Sequence, residues 1–288
     1  MNVQGFGDVA GKLRRSTVQV VSGNRRSPGS GSGVIWTADG TVITNAHVVH
    51  EQVARVELWD GRSFPAHVAK RDDRADLAEL KLNTKDLPSI AWRESTALRP
   101  GELVIAVGNP LGVVGALTTG VVHLSGPIRG LGRRPWIQAA IRLAPGNSGG
   151  PLADAEGRVI GINTMFITSG VVGGGIALAI PSDTVLNFLK RGSRPALGVV
   201  VRPMVDPVKG TGLLVLEVAS NSPAEHASVM IGDLLIGANG RNFESADDLS
   251  DEIDESAGAI LRLRFLRGDR RREQEVSVPL SRPQREAA

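Results

Sequence analysis

The chain has 288 residues, enough for one or two domains with a real core. Hydrophobic residues make up 41% and charged residues 22%, which excludes a wholly disordered chain. Cysteine is absent, which excludes disulfide scaffolds, thiolate metal sites and cysteine nucleophiles together. The formal charge of +3 is too small to argue for nucleic acid as a partner.

Glycine is abundant, at 35 residues, and that excess suits a fold with many tight turns. The first eleven residues lack the cationic and apolar pattern of a signal peptide. No apolar run reaches the roughly 18 residues of a membrane span. As it stands the sequence is expected in the cytoplasm. If an export segment has been removed, a periplasmic or other extracytoplasmic location is expected instead.

From Ser16 to Ile180 the chain reads as short β-rich runs: Ser16–Val21, Gly33–Trp36, Thr41–Thr44, Leu103–Val107, Gly120–Leu124 and Arg158–Ile162. Turn signals such as Asp39-Gly40, Asp60-Gly61, Asn109-Pro110 and Glu156-Gly157 separate them. This rhythm points to a sandwich or barrel. A helix is expected after Pro181, with Ser182 as its N-cap, Val185, Leu186 and Leu189 on its apolar side and Lys190-Arg191-Gly192 at its end. Gly192–Pro195 reads as a linker.

Strands then alternate with two helices. One starts at Ser222-Pro223, with serine as cap and proline in the first helical position. The other starts at Ser245 and carries Leu249 and Ile253 on one face. Leu261–Phe265 alternates strictly and is a half-buried strand. The expected organisation is an arm over 1–15, a β-rich domain over 16–191, a linker over 192–195, an αβ domain over 196–282 and a tail over 283–288.

Three segments carry chemistry. In Pro145-Gly146-Asn147-Ser148-Gly149-Gly150-Pro151, a serine among glycines can sit in a tight turn with its hydroxyl projecting. The N–H groups of Gly146 and Ser148, with Asn147 between them, can then converge as a tetrahedral oxyanion requires. Such a serine needs a base. In Thr44-Asn45-Ala46-His47-Val48-Val49, His47 ends a strand-like run where a base can be fixed. His50 lies three residues on, but without cysteine or a matching acidic ligand no metal is expected. In Asp72–Leu80, Asp76 stands at the edge of an apolar strand, where a carboxylate is costly unless paired, and a histidine N–H is a suitable partner. The chain order His, Asp, Ser is that of chymotrypsin-type β-barrel proteases.

Taken together, these segments resemble the HtrA/Deg-type serine proteases, in which a chymotrypsin-like domain precedes a PDZ domain. Gly31–Ile35, Thr44–Val49, Asp76–Ala78, Val107–Gly112, Gly146–Pro151 and Ala179–Ser182 carry the first part of the resemblance, and Asn221–Ala227 with Ile231–Gly240 the second. The resemblance implies a mainly β fold: a double six-stranded β-barrel followed by an αβ PDZ domain. It implies a triad of His47, Asp76 and Ser148 and an oxyanion hole at Gly146, Asn147 and Ser148. It places the carboxylate-binding loop of the PDZ domain at Leu197, Gly198 and Val199, with the helix from Ser245 as the other wall of its groove. No cofactor or metal is implied.

Two positions depart from the family pattern. Many relatives carry aspartate where this chain has Ala140, eight residues before Ser148. Arg142, six residues before Ser148, falls where a trypsin-like enzyme can line the base of its specificity pocket. A buried unpaired arginine is expensive, so Arg142 is expected to point outward, which leaves the family's preference for small aliphatic residues intact. The short Asn24–Gly29 segment fits a homotrimer better than a large cage. The arginines at 262, 264, 267 and 270–272 are diluted by Asp269, Glu273 and Glu275 and read as a solvated strand and hairpin. Neither nucleic acid nor membrane insertion is expected. The expected function is endoproteolysis of unfolded or misfolded polypeptide, with the PDZ domain binding exposed C-termini. The alternative is a peptide-binding chaperone or sensor with a resting or inactive protease site.

Overall fold

The computed structural model describes residues 6–23, 29–110, 113–128, 134–168, 175–190, 197–206, 210–268 and 272–280. One compact unit comprises Met1–Pro127 with Arg134–Lys190; the other is built on the residues from Arg191 onward.

The first unit holds two closed barrels. One consists of β1 (Thr17–Ser22), β2 (Gly29–Thr37), β3 (Thr41–Thr44), β4 (Val53–Glu57), β5 (Ser63–Asp72) and β6 (Leu77–Leu82), joined in the order β1-β2-β3-β6-β5-β4. The other consists of β7 (Leu103–Gly108), β8 (Ala116–Pro127), β9 (Pro135–Ala140), β10 (Pro151–Asp154), β11 (Val159–Thr168) and β12 (Gly175–Pro181), joined in the order β10-β11-β12-β9-β8-β7. Each run expected to be a strand falls on one of these strands. Closure removes sheet edges and gives each barrel its own apolar interior. Val20, Ile35, Val42, Val56 and Leu80 fill the first; Val104, Ile137, Leu152 and Ile160 fill the second.

The N-terminal stretch expected to be an arm contains a helix, α1 (Phe6–Ser16). Val9 and Leu13 stand four residues apart on one helical face and pack with Ile105, Val107 and Ala153. Leu13 is fully buried, which contributes about 1.5–3 kcal/mol relative to exposure. Gly157 is where the helix comes close: a Cβ there would lie 2.9 Å from Val9 Cγ1.

The helix expected after Pro181 is α2 (Ser182–Lys190), with Val185 and Phe188 buried. Ser182 is its first residue rather than its cap. The Ser182 hydroxyl donates to the Arg93 carbonyl at 2.6 Å instead of serving the helix N-terminus. Asp183, in the first turn, accepts the Ser95 N–H at 2.8 Å and the Ser95 hydroxyl at 2.5 Å. Among the described residues, no helix is long and apolar enough to cross a membrane.

The second unit holds β13 (Val199–Asp206), β14 (Gly210–Val218), α3 (Pro223–His226), β15 (Leu234–Ala238), β16 (Arg241–Asn242), α4 (Ala246–Glu255), β17 (Ile260–Leu266) and β18 (Glu273–Pro279). The sheet order is β13-β14-β15-β17-β18, with β16 on β15. Ser222 caps α3 by accepting the Glu225 N–H at 3.2 Å, with Pro223 in the first turn. At the start of α4, Asp248 accepts the Ser245 N–H at 2.8 Å. Leu249 and Ile253 of α4 share one apolar cluster with Leu197, Val199 and Val201. The Gly192–Pro195 linker, the 283–288 tail and the arginines at 270 and 271 lie outside the described residues, as does most of the Asn24–Gly29 segment.

Candidate active site

His47 sits in a single 3-10 turn, Ala46–Val48. Ala46 and Val48 are buried in this turn, so the intervening side chain is turned outward. Asp76 sits in the turn between β5 and β6, with φ of 54° in the left-handed region that aspartate tolerates better than most residues. The antiparallel pairing of β3 with β6 sets Thr44 against Ala78. Extending that register brings the turn after β3 beside the turn before β6, although 29 residues separate them in sequence.

The two side chains meet. Nδ1 of His47 lies 2.9 Å from both carboxylate oxygens of Asp76, and the His47 backbone N–H donates to Oδ1 at 3.1 Å. The carboxylate makes Nδ1 the protonated ring nitrogen. The Asp76 side chain is 18% exposed and that of His47 51% exposed. Burial pushes the Asp76 carboxyl up, but the His47 ring, the Thr164 hydroxyl, the His47 amide and the histidine charge together hold it below the usual 3.8.

Ser148 lies in the turn before β10. The N–H of Asn147 donates to the Ala144 carbonyl at 3.0 Å, closing a four-residue turn with Pro145 and Gly146 at its centre. Gly146 has φ of 101°. Positive φ at the third position, after a proline that cannot adopt it, defines a type II turn. Among the described residues, the N–H groups of Gly146 and Ser148 have no acceptor, whereas those of Asn147, Gly149 and Gly150 do. The Ser148 hydroxyl donates to the Thr164 carbonyl at 3.1 Å.

Thr164 carries no motif that marks it in the sequence. Its hydroxyl donates to Oδ2 of Asp76 at hydrogen-bond distance while its carbonyl accepts from Ser148. One residue of β11 therefore touches both the carboxylate of the first barrel and the hydroxyl of the second. Asn45, within the His47 segment but without a role of its own there, donates from Nδ2 to the Asp76 carbonyl at 2.9 Å and steadies the left-handed residue. Gly31 supplies the close approach between barrels: a Cβ there would lie 2.6 Å from Val48 Cγ2 and 3.0 Å from the Ser148 carbonyl oxygen. His50 is turned away from His47, with its ring against Gly29 and its N–H on the Ser22 hydroxyl. Arg142 is exposed.

A trypsin-like peptidase domain matches residues 31–162 and a PDZ domain matches residues 195–278. The chain is 34% identical to serine protease HTRA1 of Xenopus tropicalis over 271 residues, covering 83% of this chain and 58% of that protein. It is 36% identical to a probable periplasmic serine endoprotease, DegP-like, of Marinomonas sp., covering 76% of this chain and 50% of that one. The structure of the HtrA-type protease AlgW with a decapeptide superposes with a TM-score of 0.71 at 25% identity, covering 98% of this chain and all of that one.

The chain belongs to the HtrA-type serine proteases. Its double barrel and C-terminal αβ sheet are those of the family, as the sequence led us to expect. This HtrA-type chain spans 50–58% of the length of these two curated relatives.

In the PDZ part, Leu197 is buried, and Gly198 has φ of 81°. The carbonyls of Leu197 and Gly198 accept the N–H groups of Ala224 at 3.0 Å and Ala219 at 2.8 Å. In a trans peptide the N–H points opposite to the carbonyl. The N–H groups of Gly198 and Val199 are therefore directed away from those two acceptors. The strand that follows, β13, is the terminal strand of its sheet.

Proposed function

We propose that this chain is a serine endopeptidase acting on unfolded or misfolded polypeptide, with His47, Asp76 and Ser148 as its catalytic triad. The observation that carries this reading is the bridge made by Thr164, which brings the Asp76–His47 pair and the Ser148 hydroxyl onto one residue.

The chemistry follows from the groups present. Asp76 holds the proton on Nδ1, which leaves Nε2 of His47 with a free lone pair. The Ser148 hydroxyl exchanges the Thr164 carbonyl for that lone pair as substrate arrives. Ser148 Oγ then attacks the scissile carbonyl while His47 takes its proton, and the ionised Asp76 stabilises the imidazolium. Charge develops on the carbonyl oxygen, where the free N–H groups of Gly146 and Ser148 receive it. Asn147 contributes by closing the turn, since its own N–H is spent on Ala144. His47 next protonates the leaving amine, and water releases the acyl group by the same steps in reverse.

Leu197, Gly198 and Val199 form the carboxylate-binding loop in this reading. The N–H groups of Gly198 and Val199 meet the terminal carboxylate of a peptide, and the edge of β13 takes up its backbone as an added strand. The AlgW structure contains a decapeptide, which supports a peptide ligand here. The proposed assembly is a homotrimer, to be checked by light scattering. The proposed compartment is the periplasm, in line with the naming of the DegP-like relatives.

Labelling by a fluorophosphonate at neutral pH tests the reading, because it requires nucleophile, base and oxyanion donors at once. Wild type should be labelled and should cleave casein; Ser148→Ala should do neither. A folded wild type that resists labelling, while both proteins suppress aggregation equally, would establish the chaperone reading instead.

A further inference from the structure

Ser32 of β2 is fully buried, and the proposed reaction gives it no role. All of its polar groups are engaged. Its N–H donates to the carbonyl of Ser148 at 2.7 Å. Its hydroxyl donates to the carbonyl of Gly146 at 2.6 Å and accepts the N–H of Asn109 at 2.9 Å. Its own carbonyl accepts the Thr44 hydroxyl at 2.6 Å.

The two carbonyls that Ser32 holds belong to Gly146 and Ser148. These are the residues whose N–H groups carry no acceptor among the described residues. We infer that Ser32 is a positioning residue for the reaction, fixing the spacing and tilt of the two oxyanion donors from behind. This rests on the proposed serine-protease function.

The geometry leaves little slack. A serine hydroxyl has one hydrogen. With the Asn109 N–H occupying a lone pair, that hydrogen is directed at the Gly146 carbonyl. Asn109 is itself held, because its Oδ1 accepts the Gly115 N–H at 2.7 Å. The clamp also joins the barrels, since Ser32 lies in the first and the loop it grips leads into β10 of the second. Removing the hydroxyl would deprive a part-buried carbonyl and a buried N–H of this partner. The Gly146–Asn147 peptide, which separates the two peptides that bear the Gly146 and Ser148 N–H groups, would then be free to tilt.

The test is steady-state and single-turnover kinetics of Ser32→Ala. Fluorophosphonate titration counts competent sites by its end point and reports the oxyanion site by its rate. Per titrated site, kcat and the labelling rate should fall about 10- to 100-fold, less than the 10²–10³ for deleting a donor outright. KM should stay within about threefold, and inhibition by a peptide boronic acid should weaken in step with kcat. A merely structural role would lower the number of titrated sites and the melting temperature but leave kcat per site unchanged, and that result would overturn the inference. Ser32→Thr keeps the hydroxyl and should turn over within about threefold of wild type even if the alanine variant does not fold. A folded threonine variant with a loss of 10-fold or more would equally overturn it. Failure of wild type to be labelled would instead count against the protease reading itself.

Discussion

The hydroxyl of Thr164 donates to Oδ2 of Asp76, one of the two carboxylate oxygens that face Nδ1 of His47. The carboxylate is thus held from two sides, and from both barrels. Thr164→Val removes one hold while keeping the shape. A hydrogen bond to a charged group is worth about 1.5–3 kcal/mol, so kcat should fall by about tenfold. Substrate titration should show KM nearly unchanged. A rise in KM with kcat unchanged would instead place Thr164 in the substrate groove.

The lowered pKa of Asp76 carries a stability signature. A carboxyl below its usual 3.8 in the folded protein binds its proton more readily when unfolded. Its contribution to stability is therefore complete above about pH 4 and fades as pH falls through the folded value. Asp76→Asn should be less stable than wild type at pH 7, and the gap in melting temperature should close on acidification below pH 4. The amide cannot hold the imidazole tautomer as a carboxylate does, so kcat should drop by about 10⁴. Backbone strain is not a confounder, since asparagine accepts φ of 54° at least as well.

Gly146→Ala asks a residue with a Cβ to hold φ of 101°. The left-handed region costs such a residue about 1–2 kcal/mol. A type I turn relieves that cost by rotating the Pro145–Gly146 peptide, which turns the 146 N–H away. The expected result is a loss of about 10²–10³ in kcat with small change in KM. Equal kcat would mean that this N–H does not serve the oxyanion.

For the PDZ part, fluorescence anisotropy with paired peptides is the cleanest measurement. A peptide with a free C-terminal carboxylate should bind, and the same peptide with an amide end should bind at least about tenfold more weakly, since charge-assisted bonds are the strong ones. Gly198→Ala should abolish binding of the first peptide. A Cβ there would lie 2.2 Å from Ser222 Cβ, and φ of 81° would be strained as well. Indifference to amidation would remove the loop from the binding site.

Arg142 is exposed, and an outward guanidinium would offer no charge to an acidic substrate side chain. Peptides presenting Val, Glu or Lys before the scissile bond should rank with Val first. Arg142→Ala should change each rate by no more than about twofold, as for other surface substitutions. Rapid cleavage after Glu, lost in that variant, would show the guanidinium reaching the pocket.

The legible parts of this protein were those whose residue type is itself the signal. Glycines around Ser148, an acid at the head of an apolar strand and a histidine closing a strand announce themselves. So do strands punctuated by Asp-Gly and Asn-Pro. Thr164 did not, and neither did the roles of Ser32, Asn45 and Asn109 within segments that were themselves recognisable, because only the register and the turns decide what such a side chain meets. Here Thr164 matters through the antiparallel pairing of β10 with β11, which no local pattern encodes. The α1 helix was in principle readable from Phe6, Val9, Ala10 and Leu13 at i, i+3, i+4 and i+7, yet two glycines within the same eleven residues weigh against a helix. Ser182 illustrates the converse, where a residue with strong capping tendency sits inside the helix and donates its hydroxyl to the Arg93 carbonyl.

The seating of α1 over Ile105 and Val107 has a practical consequence for anyone handling the protein. A nick just after Ser16 would bare a fully apolar strip of β7 to water while leaving both barrels closed. Preparations clipped there should stay folded yet turn sticky, and they should clump at concentrations that the whole chain withstands.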